Sequence, residues 1–118
     1  MLNRRISADE QMDAVLTGRF GPLLDRYRLS REALRHKWSV SLDDIVSRAR
    51  QRGLESFVRD APAGDGVHLV RRAGGYGVTV VDHGCQLFEE RFESLEAAVT
   101  YWIEARLGGL RLPHDGGR

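Results

Sequence analysis

Few side chains in this 118-residue chain could do chemistry, and their spacing does not favour it. The four histidines, His36, His68, His83 and His114, form no H-x-x-x-H or H-x-E pattern that would bring two of them onto one metal. Cys85 is the single cysteine, which excludes an internal disulfide and a zinc site of paired cysteines. It follows His83 by two residues, a spacing that could activate a thiolate. The two flank a turn, however, and no third group stands near to orient the imidazole. Gly74-Gly75-Tyr76-Gly77 is glycine-rich but lacks the strand–loop–helix setting of a phosphate loop and reads as a hairpin turn. The sequence therefore offers no catalytic, metal or cofactor-binding residues, and the expectation is a protein that is not an enzyme.

Two charged groups remain as candidate contact surfaces. Arg26, Arg28, Arg31, Arg35 and Lys37 make the densest basic run, with Tyr27 and Trp38 interleaved. Such a face can meet phosphates or an acidic protein, although Asp25 and Glu32 dilute it. Glu89, Glu90 and Glu93, with Glu96 beyond them, form an acidic edge. That edge serves either as a docking surface or as a solvated border that discourages aggregation.

The whole chain carries a net charge of +1, with 12 Lys and Arg against 9 Asp and Glu in residues 1–60 and 6 against 8 in 61–118. Neither half is extreme enough to favour nucleic acid or an anionic membrane as the partner. No apolar run reaches the roughly 20 residues of a membrane span, and Met1 to Glu10 is not a secretory signal, so a cytoplasmic location is expected.

The elements that would hold these residues follow from periodicity. Ser7-Ala8-Asp9-Glu10 fits a capping box, with Met12, Val15 and Leu16 inward behind it and Gly18 near the end of the helix. Gly21-Pro22 opens a second helix, because proline is tolerated in a first turn. Ser30 and Ser41 can cap a third and a fourth, and Gly53 stops the last. Residues 54–58 fit either a helical turn or an edge strand, and Arg59 to Gly66 reads as a loop.

Beyond it, Val67–Arg72, Tyr76–Val81 and Gln86–Phe92 read as antiparallel strands. A two-residue turn at Gly74-Gly75 would pair Ala73 with Tyr76. A three-residue turn at Asp82-His83-Gly84 would then gather Leu69, Tyr76, Val78, Val80, Phe88 and Phe92 on one face, whereas an even loop would expose both phenylalanines. Ser94 caps a final helix whose stripe is Leu95, Ala98, Val99, Trp102 and Ile103, ended by Gly108-Gly109 with Pro113 beyond. The second sheet face, with Val70, Thr79, Val81 and Leu87, is too apolar to stay wet: the expectation is that the N-terminal helices cover it, the alternative that part of it is a protein-binding patch. The expectation is one α+β domain over 1–118: a helical segment of about 7–53, a sheet-plus-helix segment of about 67–108 and a tail over 113–118.

The run Tyr76-Gly77-Val78-Thr79-Val80-Val81-Asp82-His83-Gly84, continued by Phe92-Glu93-Ser94-Leu95-Glu96-Ala97-Ala98-Val99-Thr100-Tyr101, resembles small bacterial immunity proteins encoded beside polymorphic and contact-dependent toxins. Such relatives often carry Arg before the turn glycine, where this chain has His83. The resemblance covers about the last third of the chain. It implies a cytoplasmic protein that neutralises a cognate toxin domain by direct contact, without naming the toxin. The alternative is a small nucleic-acid-binding or adaptor protein using the Arg26–Lys37 face. Within the toxin reading, Arg26, Tyr27, Arg28, Arg31 and Arg35 are the preferred contact residues. They lie outside the resembling scaffold, where partner-specific residues are expected, and Arg and Tyr are enriched among interface hot spots. Glu89, Glu90 and Glu93 are the alternative, as a mimic of phosphate toward a basic toxin site.

Overall fold

The computed structural model describes residues 5–111, so Pro113, His114 and the expected tail over 113–118 lie outside the described residues. Over the described residues the fold is α+β, with five α-helices and a three-stranded antiparallel sheet whose strands lie in chain order. The helices are α1 (Ala8–Thr17), α2 (Gly21–Tyr27), α3 (Arg31–Lys37), α4 (Leu42–Arg52) and α5 (Leu95–Arg111). The strands are β1 (Gly66–Arg72), β2 (Gly75–Asp82) and β3 (Cys85–Phe92). None of the described helices is long and apolar enough to cross a membrane.

Local signals set the helix starts. Ser7, Ser30 and Ser41 each accept a hydrogen bond from the backbone N–H three residues on, and Ser41 completes a reciprocal box with Asp44. The Ser94 hydroxyl accepts from the Ala97 N–H at 3.1 Å, opening α5. Leu54–Phe57 is a 3-10 turn, and the chain then lies along the outer edge of β1. There the Arg59 N–H donates to the Leu69 carbonyl at 2.9 Å and the Arg59 carbonyl accepts from Arg71. Of the two readings of residues 54–58 the helical turn is the one observed; the single residue of strand pairing falls at Arg59, in the stretch expected to be a loop.

Both hairpins differ in detail from the sequence reading. In the first, Arg72 pairs with Gly75, so the turn is Ala73-Gly74, with Gly74 at φ 78°. Leu69 faces Val78, two residues from its expected partner. A shift of two leaves every side chain on its face, so burial cannot distinguish the two registers. In the second, Asp82 pairs with Cys85 and the turn is the two residues His83-Gly84, both at positive φ. The extra residue that parity demands is Leu87. Val80 pairs with Phe88 and Val81 with Gln86, which leaves Leu87 unpaired in a bulge. Phe88 and Phe92 still share a face with Val78 and Val80, so the outcome of the odd count holds while its location moves into the strand.

That face packs on α5, which contacts all three strands. Ala98, Val99, Trp102, Ile103 and Leu107 are buried along it, and Phe92 stacks on Tyr101 with ring centroids 5.2 Å apart. α5 also contacts α1, α3 and α4, so it lies between the sheet and the helical half and joins both to one core. The N-terminal helices therefore do not cover the second sheet face, because α5 already supplies them with an apolar partner surface. Gly108-Gly109 does not end α5 either; the helix continues to Arg111. The anchoring of Leu107 in the core outweighs the roughly 1 kcal/mol per glycine that propensity sets against it.

Arg106 ties the layers together. Its Nη1 donates to the Val15 and Leu16 carbonyls in the last turn of α1, at 2.8 and 3.1 Å. Nε and Nη2 donate to the Val67 carbonyl at the start of β1, at 3.3 and 2.9 Å. The guanidinium lies 4.4 Å from the Trp102 ring centroid, and the indole N–H shares the Val67 carbonyl at 3.2 Å. Burial away from water pushes the pKa of Arg106 down to about 10, and the charge of Arg59 acts in the same direction. The negative end of the α1 dipole, at Val15 and Leu16, offsets part of that charge.

Candidate binding surfaces

The arginine segment folds as two short helices joined at Arg28, a left-handed residue at φ 55°. The turn sends the cations to different neighbours. Arg26 pairs with Glu10 at 3.1 Å, and the Tyr27 hydroxyl donates to the same carboxylate, which that hydrogen bond holds below the usual carboxylate range. Tyr27 is half-buried against the core. Arg31 lies over the Phe20 ring at 5.6 Å. Arg35, half-buried, stands 4.0 Å from Glu32 and lines a depression with Trp38 and Leu42. The structure does not bring Arg26, Tyr27, Arg28, Arg31 and Arg35 onto one open face. Arg28 and Arg31 remain exposed, with no carboxylate within ion-pair distance among the described residues.

The acidic group is also divided. Glu89 belongs to the second sheet face, and Glu90, opposite Val78, to the α5 face. Glu89 lies flat against the backbone of Gly77, whose missing side chain makes room: a Cβ there would stand 2.6 Å from Glu89 Oε2. Arg72 donates Nε and Nη2 to Glu89 as a two-pronged pair at 2.9 and 2.8 Å. The Thr79 hydroxyl donates at 2.6 Å, and Arg91 adds a further cationic contact. These bonds, the Arg72 pair first, lower the pKa of Glu89 to about 2 against the opposing effect of burial. This network, with Val70 and Thr79 buried, is how the second face avoids being an exposed apolar surface. Glu89 is thus committed to the fold, whereas Glu90 and Glu93 are exposed. Glu96 pairs with Arg50 of α4.

β3 presents a surface that the sequence pattern did not mark. Leu87 is 61% exposed and Phe88 47%, the large hydrophobics most open to solvent among the described residues. They stand side by side at the bulge, with Cys85 exposed just before them and Glu90 just after. β3 is an edge strand, so its outer side has no strand neighbour among the described residues. The sequence signal available for this patch was the odd parity of the hairpin. Assigning the odd residue to the turn instead of the strand put Leu87 on the second face.

Among the described residues no group of three or more His, Cys, Asp or Glu could hold a metal ion. The chain matches no protein-family model, no curated protein and no solved structure.

Proposed function

We propose that this protein is an immunity protein, which binds a cognate bacterial toxin domain in the cytoplasm and neutralises it by direct contact. The observation that carries the reading is the exposed Leu87–Phe88 pair on the free edge of β3, inside the segment that resembles such proteins. An apolar pair on an open strand edge offers a partner both side-chain burial and unpaired backbone groups. Glu90 and Glu93 flank it with charge. The exposed Arg28 and Arg31 offer a second surface, suited to an acidic partner.

Co-expression with a toxin domain encoded by the neighbouring gene should restore growth, and the pair should co-purify. Leu87→Asp with Phe88→Asp, both at exposed positions, should keep the fold by circular dichroism and abolish co-purification. Charge reversal at Arg28 and Arg31 should weaken it less. A complex that survives the β3 pair and is lost with the arginine pair would move the interface to α2–α3.

A further inference from the structure

The described arginines divide unevenly. Arg26, Arg35, Arg48, Arg50, Arg52, Arg71, Arg72 and Arg91 each have a carboxylate within 4.0 Å. Arg5, Arg19, Arg28, Arg31, Arg59 and Arg106 have none among the described residues; Arg5 and Arg28 stand apart on the surface, and the other four line one depression between the α1–α2 corner and the start of β1. Its two lobes, about 670 and 590 Å³, share Thr17, Arg19, Ala63, His68 and Arg106. Arg31 borders the first lobe and Arg59 the second.

The one acid on the rim, among the described residues, is Asp65. Its carboxylate accepts the backbone N–H groups of His83 at 3.1 Å and Gly84 at 3.0 Å, so it stabilises the β2–β3 turn and does not pair with an arginine. Arg106 is held by carbonyl groups and the Trp102 ring and feels the charge of Arg59, so like charges are kept together here without an acid between them. Elsewhere the fold offsets most of its arginines with acids, and here it does not.

We propose that this cleft is a binding site for a small molecule bearing a phosphate or diphosphate group. Planar guanidinium groups converging from several elements match the oxygens of a multiply charged oxyanion. Arg19 and Arg106 line both lobes, with Arg31 added at the first and Arg59 at the second. The cations thus come from separate elements instead of following a helix as a stripe, which favours a compact ligand over a polyanion tracked along its backbone. This site is independent of the toxin reading, which rests on β3.

The test is thermal and calorimetric titration of the full chain with inorganic pyrophosphate, at fixed ionic strength. The wild type should show a saturable rise in Tm and a defined Kd. Arg19→Gln with Arg31→Gln should raise Kd about a hundredfold, since removing one charge-assisted hydrogen bond weakens binding about tenfold or more. Arg5→Gln with Lys37→Gln removes the same charge from exposed positions outside the cleft and should leave Kd within a factor of about two or three. No saturable shift in the wild type, or an equal loss in both variants, would overturn the site. Tighter binding of a single-stranded oligonucleotide or a polyglutamate peptide, abolished by the Arg19/Arg31 pair, would overturn the small-molecule assignment.

Discussion

Trp102→Ala is expected to destabilise the fold by about 3–5 kcal/mol, the range for deleting a large buried aromatic. Trp102 is buried on the α5 stripe between Val99 and Ile103, with Phe57 5.5 Å away by ring centroid. It therefore seals the contact between the 3-10 turn and the last helix. Its indole N–H also satisfies the Val67 carbonyl, and its ring supports the Arg106 guanidinium. The measurement is the urea midpoint at constant slope. An unchanged midpoint would mean that α5 turns a different face to the core.

Arg106→Ala should cost about 2–4 kcal/mol, because it strips hydrogen bonds from the Val15, Leu16 and Val67 carbonyl oxygens, although that of Val67 keeps a partner in the Trp102 N–H. It also removes the lid from the Trp102 ring. Arg106→Lys should recover little of this, since one ammonium cannot span the Val15, Leu16 and Val67 carbonyls as a planar fork does. The Trp102 and Arg106 losses should also fall short of additive in the double variant, because the two side chains stack and share one acceptor. Full additivity would mean that the stacking carries no energy.

Much of the fold was legible because its signals are local. Serine caps at Ser7, Ser30, Ser41 and Ser94, the breaks at Gly18 and Gly53, and the stripe through Trp102 each depend on neighbours within a turn or two. The hairpins show where such reasoning stops. Placing Phe88 and Phe92 on the α5 face fixes the parity of the β2–β3 connection, but a three-residue turn and a two-residue turn with a bulge have the same parity, and Phe88 stays half exposed on that face. His83 and Gly84 both take positive φ, which closes the tighter turn and displaces the extra residue to Leu87. Likewise Ala73-Gly74 and Gly74-Gly75 give the same faces, so pattern alone could not choose between them.

The candidate surfaces were less legible, because charge pairing is decided by tertiary neighbours. Glu89 read as one of several acids on an edge, yet Gly77, Thr79 and Arg72 make it the centre of a closed network. Arg26 read as part of a basic face, yet Glu10, sixteen positions earlier, claims it. Arg106 carries no signal in the sequence pattern, and only the arrival of the α1 end and the β1 start gives it a role. No periodicity in one chain encodes which distant carboxylate or carbonyl will arrive.

Titrating the purified protein into an assay of the neighbouring toxin domain tests the central claim most directly. Neutralisation by contact predicts that toxin activity falls linearly and ends at one equivalent, with a 1:1 complex isolated by size-exclusion chromatography. Complete protection at trace amounts, with no complex at any ratio, would contradict it and identify the protein as an enzyme that reverses the toxin's damage.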